Sequence, residues 1–294
     1  PKLYGNIEQR IQTVNKKNLP VIPPNRTDDL HGLEIAEEAD LVLFMAGNQF
    51  MAMKEIVAEF KALRPEVKNI YYETLPPGLE LKQILAKGAR FQNKTLDIYP
   101  DIYSSVNLAA MQLLETEGHI GQSDYHLYLH NRLTLMVPGG NPAQISSVAD
   151  LARDDVRISQ PDPQNEDIAY PIMDMYRQAG GDRLLDRIME EKRAEGTTIF
   201  TIVHHRETPL RIAKKTVDVG PVWATEAVHA QSTGLSFEVI EPGADLDQRD
   251  RIDYFICRLR HAPHPRNAQK FLDFILSERG QRIYKKYGFL PAAR

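Results

Sequence analysis

The sequence has little cysteine and little tryptophan, with one residue of each among 294. The single thiol, Cys257, can form no intramolecular disulfide and cannot build a zinc site of the cysteine type. It stands between Ile256 and Arg258, a setting that favours a buried thiol on a strand. The cysteine count therefore excludes a disulfide scaffold and fits either the cytosol or a bacterial periplasm.

Strong net charge is also missing, because 36 basic and 40 acidic residues leave a formal charge of -4. This balance gives no electrostatic reason to expect nucleic acid or an anionic membrane surface as a partner. No apolar run is long enough to cross a bilayer. With 42% hydrophobic and 26% charged residues, the composition is that of an ordinary globular protein.

Catalytic signatures are absent as well. The chain has no GxSxG, P-loop, HExxH or Rossmann glycine fingerprint, and each of these carries a defined chemistry. The glycines of "VPGGNP" open no helix and indicate a turn. We therefore expect no enzyme activity and no cofactor.

The first part of the chain, residues 1–39, is polar and contains several prolines. Its pattern predicts a short helix near residues 6–16, followed by an extended N-terminal arm that wraps the surface. The sequence begins at Pro1 and not at Met. An exported protein whose signal sequence has been removed would begin in this way, as would any chain lacking its first residues.

A strand–helix rhythm begins at Asp40. The apolar run "LVLFMAG", then "VKNIYYETL" and "LDIYPDIYSS", predict strands, and each is followed by a segment with helical spacing. Such alternation indicates βαβ units and a mainly parallel sheet. Parallel sheets bind ligands at the carboxyl ends of their strands, which we place at residues 47–49, 75–78 and 100–101.

The second half repeats the rhythm. Residues 125–137 are predicted to form one long strand that carries the chain into a second lobe. The sequence thus predicts an α/β protein with an arm at residues 1–39, a first lobe at 40–126 plus 238–294, and a second lobe at 127–237.

Several stretches resemble the periplasmic molybdate-binding protein family and its relatives. They are "LTLMVPGGNPAQISSVADLARDDVRISQPDP", "VDVGPVWATEA" and "FLDFILSERGQRIYKKYGFLPA", and the resemblance covers residues 40–294. It implies the type II periplasmic binding protein fold, with two Rossmann-like lobes joined by crossing hinge strands. It also implies a monomeric, periplasmic solute-binding protein that delivers a small ligand to an ABC transporter permease.

In that family an oxyanion is held by hydroxyls and by backbone N–H groups at helix starts. The first matching position is Asn48, which could also serve only as a helix cap. The second is Gly78, preceded by Pro76 and Pro77 where the family has two serines. This departure removes donors, because proline has no N–H. Asp101 and Tyr103, near the third strand, complete the candidates in the first lobe.

The second lobe supplies the other candidates. Asn165 begins the helix after "ISQPDP", and acidic residues, Glu166 among them, follow it. Trp223 stands where the family has a tyrosine, and the resemblance favours a ligand wall over a place in the core. With Tyr103 it would give an aromatic lining.

The stretch "TIFTIVHHRETPLRI" joins a predicted strand to a predicted helix, with Thr208 as the expected N-cap and Pro209 in the first turn. Arg206 at this junction favours an anion clamp, and His205 beside it is a further ligand-binding candidate. His205 with Glu166 is the alternative, a divalent-metal site, and a solvated charge cluster is the third possibility.

The resemblance thus implies a small anionic ligand, either an oxyanion or a small organic acid. Two alternatives stay open. The same fold could serve as a periplasmic sensor or accessory protein that docks on a partner, which the N-terminal arm would favour. The chain could also be a divalent-metal-binding protein.

Overall fold

The computed structural model describes residues 19–164, 166–202 and 206–292, which form two compact units. Unit 1 holds the described residues up to Leu129, together with Asp253–Lys285 and the chain from Pro291. Unit 2 holds His130–Ile252 and Lys286–Leu290. None of the helices in the described ranges has the length and apolar character needed to span a membrane.

The secondary structure is mixed throughout. The strands are β1 (Val21–Ile22), β2 (Leu30–His31), β3 (Leu41–Phe44), β4 (Ile70–Glu73), β5 (Ala89–Phe91), β6 (Lys94–Leu96), β7 (Ile102–Ser105), β8 (His126–His130), β9 (Leu133–Pro138), β10 (Ile158–Gln160), β11 (Thr198–Phe200), β12 (Gly220–Trp223), β13 (Phe237–Ile240), β14 (Asp253–Arg258) and β15 (Leu290–Pro291). The α-helices are α1 (Phe50–Leu63), α2 (Pro77–Ala86), α3 (Leu108–Thr116), α4 (Ala169–Asp186), α5 (Lys192–Ala194), α6 (Glu207–Ala213), α7 (Ala224–Ser232), α8 (Pro265–Leu276) and α9 (Glu278–Lys286).

The main sheet of unit 1 has the order β15-β8-β14-β7-β3-β4-β2. Its centre is parallel, since β3 pairs in parallel with both β4 and β7. All four residues of β3 are buried, as the continuous apolar run predicts for a strand covered on both faces. The parallel centre is the part of the fold that positions a site, because it aligns three strand ends.

Unit 2 has two smaller sheets. One is antiparallel, with the order β12-β9-β13, and the other pairs β10 with β11 in parallel. A parallel bridge between Ile158 and Val219 links β10 to the residue just before β12. Helix α4 is interrupted at Gly180 and Gly181, and Gly181 has a φ of 71°, which favours glycine.

Two expectations for the chain path are wrong. Residues 125–137 form two strands, β8 and β9, and not one. The chain breaks at the buried Asn131, whose side-chain amide donates to Thr225 Oγ1 at 3.1 Å. The described part of the N-terminal arm is not a surface wrap, since β1 pairs with β5 and β2 pairs with β4. The helix predicted near residues 6–16 lies outside the described residues.

Candidate functional site

The carboxyl ends of β3, β4 and β7 lie at one edge of the unit 1 sheet, because these three strands run parallel. We call the residues at and just after these strand ends, 46–49, 75–78 and 104–105, the carboxyl edge. They include two predicted site residues, Asn48 and Gly78. Sheets of this kind bind ligands at this edge, so these groups define the candidate site of unit 1.

Asn48 lies in a short 3-10 turn, Gly47–Gln49, just before α1. Its side-chain nitrogen donates a hydrogen bond to the Tyr254 hydroxyl on β14. Its side-chain oxygen is buried and accepts no hydrogen bond from any described residue. Asn48 therefore does not cap α1, and that alternative is wrong. Its carboxamide is instead held in place by a tyrosine that no local pattern could have revealed.

A buried network of polar side chains also holds this turn in place. Ser104 Oγ accepts hydrogen bonds from the backbone N–H of Ala46 at 2.9 Å and from Gln49 Nε2 at 3.0 Å. Gln49 Oε1 in turn accepts from the Tyr128 hydroxyl at 2.9 Å. Because these side chains are almost fully buried, the network keeps the turn before α1 in one conformation.

The second strand end is held by its own contacts. Pro77 is the first residue of α2, as the sequence predicts, and its carbonyl accepts from the Tyr103 hydroxyl at 2.9 Å. Tyr103 is fully buried, so its hydroxyl positions the start of α2. A Cβ added to Gly78 would meet nothing within 4 Å, whereas one added to Gly47 would stand 2.7 Å from the Thr74 carbonyl oxygen. Gly78 thus borders open space.

Two buried carboxyl groups lie beneath this loop. Glu73 accepts from the Tyr71 hydroxyl and from Gln83 Nε2, both at 2.7 Å, and burial raises its pKa to about 7. Glu80 Oε1 accepts from the Leu75 N–H at 3.2 Å. Burial, and then the charge of Glu73, raise the pKa of Glu80 well above its ordinary value. Glu80 is therefore more easily protonated than an ordinary carboxyl group.

Asp101 is not at the carboxyl edge, and the expectation that it ends a strand is wrong. β7 begins one residue after it, so Asp101 stands at the amino end of the parallel strands. Its carboxylate accepts from the Val42 N–H at 2.8 Å, and from the His264 N–H at 2.5 Å and Nδ1 at 2.9 Å. This fully buried group joins β3, β7 and the start of α8.

In unit 2 the carboxyl ends of β10 and β11 carry an acidic group. Thr201 donates to Glu166 Oε1 and accepts from the Asp162 N–H at 3.2 Å. The predicted candidates Asn165 and His205 lie outside the described residues. Among the described residues, no group of three or more His, Cys, Asp or Glu side chains could hold a metal ion.

The expected cap at the start of α6 is wrong. The helix begins at Glu207, with Arg206 at the cap position, so Thr208 already lies inside it. Thr208 is buried, and its hydroxyl is 2.9 Å from Ser159 Oγ. The Glu207 carboxylate accepts from the Ile202 N–H at 2.9 Å and from Arg211 at 2.8 Å. An acidic side chain, and not a threonine, therefore anchors the chain at this helix start.

Arg206 and Trp223 both lie next to α7. Trp223 ends β12 and is only 4% exposed. Burial lowers the pKa of His229, while Glu226 raises it and Arg206 lowers it. Arg206, Glu226 and His229 therefore interact electrostatically within unit 2, which places a cationic guanidinium beside α7.

The comparisons with known proteins agree with this architecture. A model of the bacterial extracellular solute-binding protein family matches residues 41–290, and the chain belongs to that family. Its members are binding proteins and not enzymes. A relative in Bacillus subtilis (strain 168), provisionally named ABC transporter substrate-binding lipoprotein YvgL, is 22% identical over 190 residues. That match covers 64% of this chain and 66% of the relative, slightly less than two thirds of its length.

Solved structures show the fold. The Azotobacter vinelandii periplasmic molybdate-binding protein superposes with a TM-score of 0.66 at 15% identity, covering 86% of this chain and 100% of that one. The sulfate-binding protein SubI from Mycobacterium tuberculosis H37Rv gives a TM-score of 0.65 at 16% identity, covering 85% and 86%. The predicted type II periplasmic binding protein fold is confirmed.

Proposed function

We propose that the protein is the extracytoplasmic solute-binding component of an ABC importer, and that it binds a small anionic ligand. The two units would serve as the two lobes, with the ligand in the inter-lobe cleft that the family resemblance implies. The protein would act as a monomer in the periplasm, after removal of a signal sequence, and pass its ligand to a permease.

One observation carries the anion proposal beyond family membership. At the carboxyl edge of unit 1, the start of α2 is fixed by Tyr103 and Glu80, and Gly78 leaves it open. A helix start favours anions through its dipole and its N–H groups, and here that N–H is supplied by Gly78, since the N–H groups of Leu79 and Glu80 donate to the Pro76 carbonyl oxygen. Arg206 adds a positive charge in unit 2, and the similar structures include a molybdate-binding and a sulfate-binding protein.

The test is a thermal-shift screen with oxyanions, small carboxylates and divalent metals, followed by calorimetric titration of each anion that raises the melting temperature. A ligand present at 100 times its Kd should stabilise the fold by about 2.7 kcal/mol. Arg206→Gln should weaken binding of the anion, and Arg183→Gln, an exposed position in the same unit, should not. A screen in which no anion raises the melting temperature contradicts the proposal.

The alternative of a docking or accessory protein is tested by deleting N-terminal residues. Removing residues 1–39 would also remove β1 and β2, and with them the buried Ile22 and Leu30. Such a deletion would damage the sheets of unit 1. Removing residues 1–18 alone keeps both strands and still asks whether a partner contact is lost while ligand binding persists.

The divalent-metal alternative draws no support from the described residues. Glu166, its proposed carboxylate ligand, is buried and already accepts a hydrogen bond from Thr201. A thermal shift with a divalent metal that disappears in His205→Ala would restore this alternative.

A further inference from the structure

At the carboxyl edge of unit 1, Asn48 presents a hydrogen-bond acceptor where a site for bare oxyanions needs a donor. The Asn48 carboxamide has its nitrogen committed to the Tyr254 hydroxyl, and its buried oxygen has no partner among the described residues. An amide oxygen can only accept. The group that Asn48 offers to a neighbour is therefore an acceptor.

A second unpartnered group lies at the same edge. Ser105 is 1% exposed, and its Oγ has no hydrogen-bond partner among the described residues. Side chains alternate along a strand, so Ser105 lies on the same face of β7 as Tyr103, one step closer to the carboxyl edge. Tyr103 already contacts the start of α2. Ser105 can donate or accept, so it is compatible with either partner.

Unpartnered buried polar groups are rare and costly. Leaving a buried acceptor unsatisfied costs about 1–3 kcal/mol, and each such group in a native structure calls for an explanation. Two of them follow neighbouring parallel strands at the edge where this fold class binds ligands. A ligand that brings its own donor would satisfy the Asn48 oxygen and remove that cost.

The two prolines before Gly78 also favour a ligand that carries its own hydrogen-bond donor. Pro76 and Pro77 have no N–H, so this strand end offers fewer donors than a pair of serines would. A fully deprotonated, hydroxyl-free oxyanion has only acceptors and would leave the Asn48 oxygen facing another oxygen. An anion that carries a hydroxyl group avoids this conflict.

We propose that the ligand is an anion bearing at least one O–H donor, and that Asn48, oriented by Tyr254, selects for that donor. This inference rests on the proposed function and narrows its ligand class. Hydrogen phosphate, phosphate monoesters in their singly protonated form and hydroxy acids belong to the class. Sulfate, molybdate and simple carboxylates do not.

The test compares matched anions by calorimetric titration at mildly alkaline pH. Hydrogen phosphate and sulfate have the same charge and shape but differ in one O–H, and glycolate differs from acetate by one hydroxyl. The hydroxyl-bearing member of at least one pair should bind roughly 10- to 100-fold more tightly, because its partner leaves a buried acceptor unsatisfied.

Substitutions test whether Asn48 causes the preference for a hydroxyl-bearing anion. Asn48→Ala should bring the affinity ratio within a pair close to one. Tyr254→Phe should reduce the ratio as well, since the carboxamide is then free to turn its nitrogen outward. Asn69→Ala is the matched control, because Asn69 lies just before β4 at the opposite edge of the same sheet and should leave the ratio unchanged.

The outcomes separate the two proposals. If sulfate and acetate each bind as tightly as their hydroxyl-bearing partners, the selectivity inference is overturned and the proposed function stands. The same holds if Asn48→Ala keeps the wild-type ratio while circular dichroism shows a folded protein. If none of the anions binds, both proposals fail.

Discussion

Polar side chains at the two ends of the parallel strands in unit 1 differ in whether their hydrogen bonds are satisfied. At the amino end, the Asp101 carboxylate accepts three hydrogen bonds from Val42 and His264. At the carboxyl end, Asn48 and Ser105 each keep a buried polar atom without a partner among the described residues. The first arrangement stabilises the fold, and the second leaves capacity for a ligand. A polar residue near a strand end is thus not by itself evidence of a binding site.

The largest expected effect comes from removing the Asp101 carboxylate, which accepts hydrogen bonds at the amino end of the strands. Asp101→Ala should lower the free energy of unfolding by about 3–5 kcal/mol, because it leaves buried N–H groups unpaired. Urea denaturation measures this change. Asp97→Ala, an exposed carboxylate nearby in sequence, should stay within about 0.5 kcal/mol. If Asp101→Ala lowered the free energy of unfolding only slightly, the difference inferred between the amino and carboxyl ends of the strands would be contradicted.

The buried carboxyl group beneath the carboxyl edge should make stability depend on pH. The pKa of Glu73 is about 7 in the folded protein, against an ordinary value of 4.5. The folded state therefore binds the proton more tightly, and stability should fall as the pH rises from about 4.5 to about 7. The loss should be about 3 kcal/mol.

Two variants check that pH dependence by denaturation across the same range. Glu73→Gln should flatten the profile. Glu80→Gln should cost little at neutral pH, since burial already favours the protonated form of Glu80. A profile in Glu73→Gln as steep as in the wild type would show that another group titrates.

The two glycines of the carboxyl edge offer a matched pair. Gly47→Ala places a Cβ 2.7 Å from the Thr74 carbonyl oxygen and should cost about 1–3 kcal/mol of stability. Gly78→Ala meets nothing within 4 Å and should leave stability unchanged. We expect Gly78→Ala to weaken anion binding instead, which calorimetry would detect. Equal stability losses in both variants would contradict an open edge at Gly78.

The smallest effect is expected at Tyr103. Tyr103→Phe removes the hydrogen bond to the Pro77 carbonyl and keeps the ring, so it should cost about 0.5–1.5 kcal/mol. Thermal denaturation and anion titration together measure this. If Tyr103→Phe abolished binding at unchanged stability, the hydroxyl would act on the ligand and not on the start of α2.

The fold was largely predictable because local signals agreed with one another. The apolar run of β3, Pro77 at the start of α2 and the glycine pair within α4 each determine structure over a few residues. Predictions failed where the exact boundary of an element mattered. Asp101 precedes β7 and Thr208 lies inside α6, and patterns of hydrophobicity do not fix boundaries that finely.

The site was less predictable because its geometry depends on distant partners. Asn48 was a candidate from the sequence, but Tyr254, which orients it, lies 206 residues away in the chain. Ser105 was missed, and the buried hydrogen bonds that join Ser104 to Gln49 were not predicted. The only sequence signal was a pair of serines at the end of a predicted strand. Whether each serine joins a buried network or borders an open edge depends on the packing around β7, which a local pattern does not reveal.

The most direct test of the central claim is native mass spectrometry of the protein as purified, coupled to titration with the matched anions. We expect a bound species of small mass, or a complex that forms with a hydroxyl-bearing anion and binds that anion more weakly in Asn48→Ala. A protein of bare mass that forms no complex with any anion would contradict a solute-binding function.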